Sequence, residues 1–203
     1  MNNRRFSFIR HGKVKGPAAL YGKTDIEMNA HAQQDLLVSL DHLHHENAID
    51  YIISSPLKRC ALVAEEFSRH HLLPVEMNAD LQECDFGDWD GKDFNSLKSE
   101  WPALEAFWQS PLSQSPPNGE NLQKFADRVR NAWRAIQAQQ TCEHTLILCH
   151  GGTIRIVIAD ILDIPVSSAL FQQLHIDLCS HTYIEIGDYA DAKPVIRWIG
   201  TVL

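Results

Sequence analysis

Short apolar runs alternate along the chain with longer stretches in which apolar residues recur every three or four positions. The short runs predict β-strands, and the run at 145–149 is continuously apolar, as in a strand of a parallel sheet that is buried on both faces. We predict six strands, at 6–9, 50–54, 74–77, 145–149, 182–186 and 195–199.

The longer stretches have the period of an amphipathic helix. At 56–71, four apolar residues are spaced by three and four positions and would share one helix face. Further helices are predicted at 30–45, 122–136 and 153–162. Strands that alternate with helices favour an α/β fold, and we predict a three-layer αβα sandwich with a mostly parallel central sheet.

The segment at 83–119 differs in character from the rest. It holds three of the five tryptophans and ends in a loop, at 111–119, that is rich in proline and serine. We predict an insertion that covers one end of the sheet, as a substrate lid does. Residues 1–203 are predicted to form one domain that carries this insertion.

Composition and charge exclude several classes of function. The 203 residues carry a formal net charge of −8, which argues against a nucleic-acid coat or a polybasic membrane binder. No apolar run is long enough for a transmembrane helix, and residues 1–6 do not resemble a secretory signal. The five cysteines include no C-x-x-C pair, and we expect reduced thiols in a cytoplasmic protein.

Two histidines follow predicted strands in matching contexts. Arg10-His11-Gly12 ends the first strand, and His150-Gly151 ends the continuously apolar one. Ligands of open α/β sheets bind at the carboxyl ends of strands, where glycine permits a sharp turn and a close approach. If the two strands are neighbours, the two histidines face each other.

A third strand end adds another cation. The strand at 50–54 is followed by Ser55 and Pro56, which predict a helix N-cap and the first helical position. Arg59 then lies in the first turn, where a helix N-terminus favours anions, and its planar guanidinium suits phosphate. With Arg10 and the two histidines, this residue would surround a phosphate group.

Cleavage of a phosphate ester also requires an acid for the leaving oxygen. Glu83, Asp85 and Asp88 lie together at the start of the insertion, and chemistry alone leaves the choice among them open. The histidine groups at 42–45 and 70–71 fit a metal cluster, but solvated helix ends are the simpler interpretation.

These motifs occur in one order along nearly the whole chain: Ile9-Arg10-His11-Gly12, Tyr21-Gly22-Lys23-Thr24-Asp25, Ser54-Ser55-Pro56-Leu57-Lys58-Arg59-Cys60-Ala61, Leu81-Gln82-Glu83, Phe86-Gly87-Asp88-Trp89-Asp90-Gly91, Asn118-Gly119-Glu120 and Cys149-His150-Gly151-Gly152. In this order they resemble the histidine phosphatase superfamily, whose fold is phosphoglycerate-mutase-like. The second motif and the segment from Glu83 to Gly91 further resemble its α-ribazole phosphatase branch, which removes phosphate from α-ribazole 5′-phosphate during cobalamin assembly.

The resemblance implies which residues act. It makes His11 the nucleophile that accepts the phosphoryl group and Glu83 the acid. The catalytic set is completed by the residues that hold the transferred group: Arg10, Arg59 and His150. The substrate pocket is lined by Gly12, Lys23, Thr24 and Gly151.

The implied reaction is hydrolysis of a small-molecule phosphomonoester through phosphohistidine, with no metal, no organic cofactor, no nucleic acid and no membrane partner. Alternatives are a broad-specificity phosphatase, a phosphoglycerate mutase that uses the same residues, a zinc-dependent hydrolase and an inactive relative that only binds ligands. The chain lacks the extra insertions of typical mutases of the family, so hydrolysis is favoured over the mutase reaction.

Overall fold

Each of the six apolar runs forms a strand in the computed structural model, which describes residues 3–139 and 142–203. Met1 and Asn2, with which the segment compared to a secretory signal begins, lie outside these ranges. The strands are β1 (Arg4–Arg10), β2 (Tyr51–Ser54), β3 (Val75–Met77), β4 (His144–Cys149), β5 (Ser180–Ile186) and β6 (Pro194–Val202).

The strands form one sheet in the order β3-β2-β4-β1-β5-β6. The four strands from β3 to β1 are parallel, whereas β5 runs antiparallel to β1 and β6 antiparallel to β5. The prediction of a mostly parallel sheet is therefore confirmed. The carboxyl ends of β1, β2 and β4 meet at one edge of the sheet.

Six α-helices are described: α1 (Ala30–Glu46), α2 (Lys58–His71), α3 (Trp101–Gln109), α4 (Leu122–Gln139), α5 (Gly151–Leu162) and α6 (Ser168–Gln173). The four helices predicted from apolar spacing are α1, α2, α4 and α5. The two that the pattern missed are short, and α6 has too few residues to display a helical period. None of the described helices is both long and apolar enough to span a membrane.

Side chains alternate across the sheet and build an apolar core on each face. On β4, Leu146 and Leu148 pack with α1 and α2, while Ile147 and Cys149 pack with α4 and α5. The sheet is thus covered by helices on both sides, which confirms the three-layer αβα arrangement.

The segment 83–119 has a small apolar cluster of its own, formed by Trp89, Leu97, Leu104 and Phe107. Its two ends pair through the backbone, since Asp88 N–H donates to Pro117 O (2.9 Å) and Glu120 N–H donates to Asp85 O (2.8 Å). The segment therefore leaves and rejoins the fold at one place, next to Glu83. Its role as a lid stays a prediction.

A chain of hydrogen-bonded polar side chains crosses four neighbouring strands, from β6 through β5 and β1 to β4. Trp198 Nε1–H donates to His181 Nδ1 (3.4 Å), and His181 Nε2 lies 2.9 Å from Ser7 Oγ. Ser7 Oγ lies 2.8 Å from His144 Nε2, and His144 Nδ1 lies 3.0 Å from Asn47 O. An indole can only donate a hydrogen bond, and a carbonyl can only accept one. The chain therefore has one arrangement of protons in which every bond has a donor and an acceptor, and in this arrangement both imidazoles are neutral. Burial lowers the pKa of both rings to about 4.

We predict that the free energy of unfolding decreases as the pH falls from about 7 to about 4. Over this range His144 and His181 take up protons near pH 6.5 in the unfolded chain but only near 4 in the folded one. Protonation therefore favours the unfolded state. The measurement is urea denaturation followed by tryptophan fluorescence at several pH values.

The His181→Gln variant retains an amide donor for Ser7 but no titrating ring, so it is expected to show a smaller pH dependence than the natural protein. His42→Gln, at an exposed position of α1, is the matched control and is expected to change nothing. An unaltered pH dependence in His181→Gln would contradict the assignment of neutral buried rings.

Candidate active site

Strand pairing brings the two predicted histidines together. Because β1 and β4 are adjacent and parallel, with Arg10 opposite Cys149, the residues that follow them leave the sheet side by side. The His11 N–H donates to Cys149 O (3.1 Å), and the ring centroids of His11 and His150 lie 5.2 Å apart at an angle of 62°. The prediction that these histidines face each other is confirmed.

The His11 ring has a defined protonation state. Its Nδ1 lies 2.8 Å from Gly12 O, and a carbonyl accepts only, so Nδ1 carries the proton and Nε2 keeps its lone pair. Burial lowers the pKa of His11 to about 3, and the cations Arg59 and Arg10 contribute to the same shift. Neutral His11 thus presents an unprotonated nitrogen at pH 7.

The His150 ring is also neutral, but both of its nitrogens are bound to other side chains. Arg59 Nε–H donates to His150 Nδ1 (3.2 Å), so Nε2 carries the proton and donates to Ser55 Oγ (2.8 Å). Burial and the Arg59 charge hold the pKa of His150 well below its ordinary value. The positive charge of the site therefore comes from arginine and not from imidazolium.

The prediction that Ser55 caps helix α2 is wrong. The helix begins at Lys58, with Leu57 at the N-cap position and no side-chain cap. The physical reason is that the Ser55 N–H still donates to Leu148 O of β4 (2.9 Å), so the chain leaves the sheet later than the sequence indicates. The Ser55 hydroxyl holds His150 instead, a role with no signal in the local sequence.

Arg59 is completely buried and links three parts of the site. Besides His150, it donates from Nη1 to Thr24 O (2.9 Å) and from Nη2 to Tyr21 O (3.0 Å) and Gly22 O (2.6 Å). Burial lowers its pKa, but a guanidinium remains charged in proteins. These bonds fix the loop at 21–24 beside the two histidines.

Arg10 retains a donor for a ligand. Its Nη1 donates to Ile176 O (2.5 Å), whereas its buried Nε has no hydrogen-bond partner among the described residues. Burial lowers the pKa of Arg10, but the nearby carboxylate of Glu83 opposes this shift. Arg10, His11 and Gly12 form the inner end of a cleft of about 550 Å³.

Glu83 is distinguished from the other two carboxylates by position. It lines the same cleft as His11, and its carboxylate accepts from Gly152 N–H (2.9 Å) and Cys84 N–H (3.0 Å). Asp85 binds Lys23 Nζ (2.8 Å), and Asp88 accepts from an asparagine at 118 (3.0 Å). The geometry therefore favours Glu83 as the acid.

The structure places Lys23 and Thr24 against carboxylates. Lys23 is exposed and its ammonium is paired with Asp85, which raises its pKa. The Thr24 hydroxyl donates to Asp90 (2.5 Å), whose carboxylate also accepts the backbone N–H groups of residues 22–24. That these two side chains contact a phosphate group stays a prediction. Contact of Gly151, which lies next to Arg10, with the substrate also stays a prediction.

Arg128 of α4 supports the backbone of Glu83, and sequence reasoning missed it. It binds Glu120 through Nε (2.7 Å) and Nη2 (2.8 Å). It also donates to three backbone carbonyls of the segment that leads to Glu83, at Asp80 O (2.8 Å), Gln82 O (2.9 Å) and Glu83 O (2.9 Å). These five bonds use all five N–H groups of the guanidinium.

The fold and this site define an α/β protein of the phosphoglycerate-mutase-like type, with a neutral histidine, His11, beside the buried Arg59 and the partly buried Arg10. The chain belongs to the histidine phosphatase superfamily (branch 1), whose family model matches residues 6–198. The histidine phosphatase resemblance is thus confirmed at the level of the family.

The names of similar proteins indicate different substrates. The adenosylcobalamin/alpha-ribazole phosphatase of Salmonella typhimurium is 28% identical over 81% of this chain and 82% of its own length. The glucosyl-3-phosphoglycerate phosphatase of Mycolicibacterium vanbaalenii is 24% identical over 98% and 93%. The Bifunctional protein Rv2228c of Mycobacterium tuberculosis is 27% identical over 96% of this chain, which spans only 53% of that protein.

A solved structure confirms the fold. YhfR of Bacillus stearothermophilus superposes with a TM-score of 0.87 at 25% identity and covers 98% of each chain.

We predict that Arg128→Lys lowers kcat/KM, which reports the step that releases the alcohol, by about 10²-fold for an alkyl phosphate, because a lysine cannot hold three carbonyls and a carboxylate at once and Glu83 is displaced. The loss should be much smaller for p-nitrophenyl phosphate, whose leaving group requires no proton. Arg130→Lys is the matched control, because Arg130 lies on the same helix as Arg128 and is paired with Asp160 of α5. Equal losses on both substrates would show a merely structural role.

We also predict that Gly152→Ala reduces activity without reducing stability. A Cβ at this position would lie 2.1 Å from Glu83 Oε1, so the flexible carboxylate must move away from residue 152 and leave its present position. Alanine favours a helix over glycine, so the melting temperature should be unchanged or higher. Activity near that of the natural protein would contradict the position assigned to Glu83.

Proposed function

We propose that the protein is a phosphomonoesterase that works through a phosphohistidine on His11. The observation that carries this proposal is that one cleft joins the unprotonated Nε2 of His11 to the carboxyl group of Glu83. A nucleophile and an acid on two sides of one phosphate are the arrangement that ester cleavage requires.

In the first step, the lone pair of His11 Nε2 attacks phosphorus in line with the ester oxygen. The bond from phosphorus to that oxygen breaks, and protonated Glu83 gives its proton to the leaving alcohol, a contribution of about 10²–10⁴-fold. Charge on the equatorial oxygens is stabilised by Arg10, whose Nε is unpartnered among the described residues, and by Arg59.

In the second step, the Glu83 carboxylate takes a proton from water while the water oxygen attacks phosphorus. The phosphorus–nitrogen bond breaks, its electron pair returns to His11 Nε2, and inorganic phosphate leaves. His150 remains neutral throughout and keeps Arg59 in position through Nδ1.

The chemistry of the donor set supports a metal-independent reaction. His11 Nδ1 and both nitrogens of His150 are bound to protein groups, so the two histidines offer one ring nitrogen between them. A catalytic zinc site ordinarily requires three protein ligands. We therefore expect activity to persist in the presence of EDTA.

As the substrate we propose α-ribazole 5′-phosphate, a small-molecule phosphomonoester. The support is the similarity of two motifs to that branch and the name of the Salmonella relative. A glucosyl-3-phosphoglycerate phosphatase is the second candidate, because the mycobacterial relative with that name matches nearly the whole chain. We further propose a cytoplasmic location, since all five cysteines are free thiols, three of them buried.

The test is kcat/KM for α-ribazole 5′-phosphate, glucosyl-3-phosphoglycerate and p-nitrophenyl phosphate, each with EDTA. A preference of several orders of magnitude for the first would support the proposed substrate, and the same preference for the second would replace it. His11→Ala should lower every rate by about 10³-fold or more.

The intermediate is tested separately by rapid quenching with labelled substrate. The natural protein should carry a label that is lost in acid and kept in alkali, as expected of a phosphorus–nitrogen bond, and His11→Ala should carry none. Full activity in His11→Ala, or activity that EDTA abolishes, would overturn the mechanism.

A further inference from the structure

A second cavity, of about 170 Å³, lies beside the cleft, and Glu83 and Phe86 line both. We call it the ring cavity. His11 lines the cleft but does not line the ring cavity. Its apolar walls come from three parts of the chain and consist of Cys84, Phe86, Phe107, Trp108, Pro111, Leu122 and Phe171.

The aromatic side chains of this cavity meet at steep angles. The Trp108 ring lies 5.0 Å from Phe107 at 57° and 6.3 Å from Phe86 at 54°. Phe107 is buried in the core of the insertion, whereas Trp108 and Phe171 are only partly buried. Rings arranged in this way leave faces and edges that a further ring can contact.

The two main walls are held together directly. Gln172 Nε2 of α6 donates to Trp108 O of α3 (2.9 Å), so the helix of the insertion is attached to the helix that carries Phe171. Arg155 lies on the third side, with Nε bound to Leu174 O (2.8 Å) and its guanidinium 6.0 Å from the Phe171 ring. The cavity is therefore formed by contacts between the insertion and the helices α5 and α6.

The in-line geometry of the proposed reaction indicates which part of the substrate would lie in the ring cavity. In an in-line displacement the leaving oxygen lies opposite the nucleophile, and here Glu83 protonates that oxygen. The rest of the alcohol must then extend beyond Glu83, away from His11. Of the two spaces that Glu83 lines, the ring cavity is the one from which His11 is absent.

We infer that the ring cavity binds a planar apolar ring of the leaving alcohol, so that the preferred substrates are phosphomonoesters with an aromatic or heteroaromatic group near the ester. A cavity of about 150 Å³ holds benzene, so about 170 Å³ suits one ring or two fused rings. Arg155 also lines the cavity, and its guanidinium would supply N–H donors to a polar atom on the ring. This inference rests on the proposed phosphatase reaction.

The test compares esters whose alcohols are similarly reactive. Methyl phosphate, glycerol 1-phosphate, benzyl phosphate and 2-naphthylmethyl phosphate all release primary alcohols, so differences in kcat/KM report contacts of the leaving group. We expect the two ring-bearing esters to exceed the other two by about tenfold or more.

Variants locate the effect. Trp108→Ala and Phe171→Ala should each reduce the ratio of kcat/KM for benzyl phosphate to that for methyl phosphate. Trp101→Ala is the matched control, because Trp101 lies on the same helix, is 48% exposed and binds Glu105 through Nε1 (2.9 Å). It should leave the ratio unchanged.

A second readout does not require turnover. The affinities of 2-phenylethylphosphonate and ethylphosphonate, measured by calorimetry, should differ by about tenfold or more in favour of the ring, and Trp108→Ala should remove the difference. Equal affinities, or a preference that survives both variants, would overturn the inference.

The two proposals fail separately. Similar turnover of all four esters would overturn the ring cavity assignment and leave the phosphatase reaction standing. A preference for 3-phosphoglycerate over benzyl phosphate would also overturn it, because a carboxylate and not an apolar ring would then favour binding. No turnover of any ester, together with ring-selective phosphonate binding, would overturn the proposed reaction and keep the ring cavity.

Discussion

The pairing of β1 with β4 is the constraint on which the site depends. With Arg10 opposite Cys149, the parallel register delivers His11 and His150 to the same edge of the sheet and within 5.2 Å of each other. Both strands are buried on both faces, so a shift of one residue would turn every apolar side chain to the wrong core. Apolar packing thus sets the position of the histidines, although neither belongs to an apolar cluster.

Burial beside cations then sets the chemistry of the two imidazoles. Arg59 is enclosed with them and favours their neutral forms, while carbonyl and side-chain partners decide which nitrogen carries each proton. The result is one ring with a free lone pair and one ring that is wholly engaged. Two histidines with similar local contexts in the sequence therefore have different surroundings and different hydrogen-bond partners.

The proposed acid, Glu83, is held by groups that are distant in sequence. Glu83 takes a backbone N–H from Gly152, and its own carbonyl is bound by Arg128. The insertion that follows Glu83 closes back on itself and contributes aromatic walls beside the carboxylate. In the proposed mechanism, one loop would thus connect proton donation with recognition of the leaving group, and both would depend on α4 and α5 for support.

Local pattern alone determined the six strands, the four longer helices and the glycine-flanked histidines, because period and strand ends are properties of contiguous residues. Tertiary structure decided what contiguous residues do not encode. Ser55, which the sequence predicts to cap α2, instead binds His150, because its backbone bond to β4 makes the helix begin later in the chain. Glu83 was separated from its neighbouring aspartates by its position in the cleft, and the contacts of Arg128 and the ring cavity form only where distant segments pack together. Such contacts depend on three-dimensional distance, which the order of residues does not state.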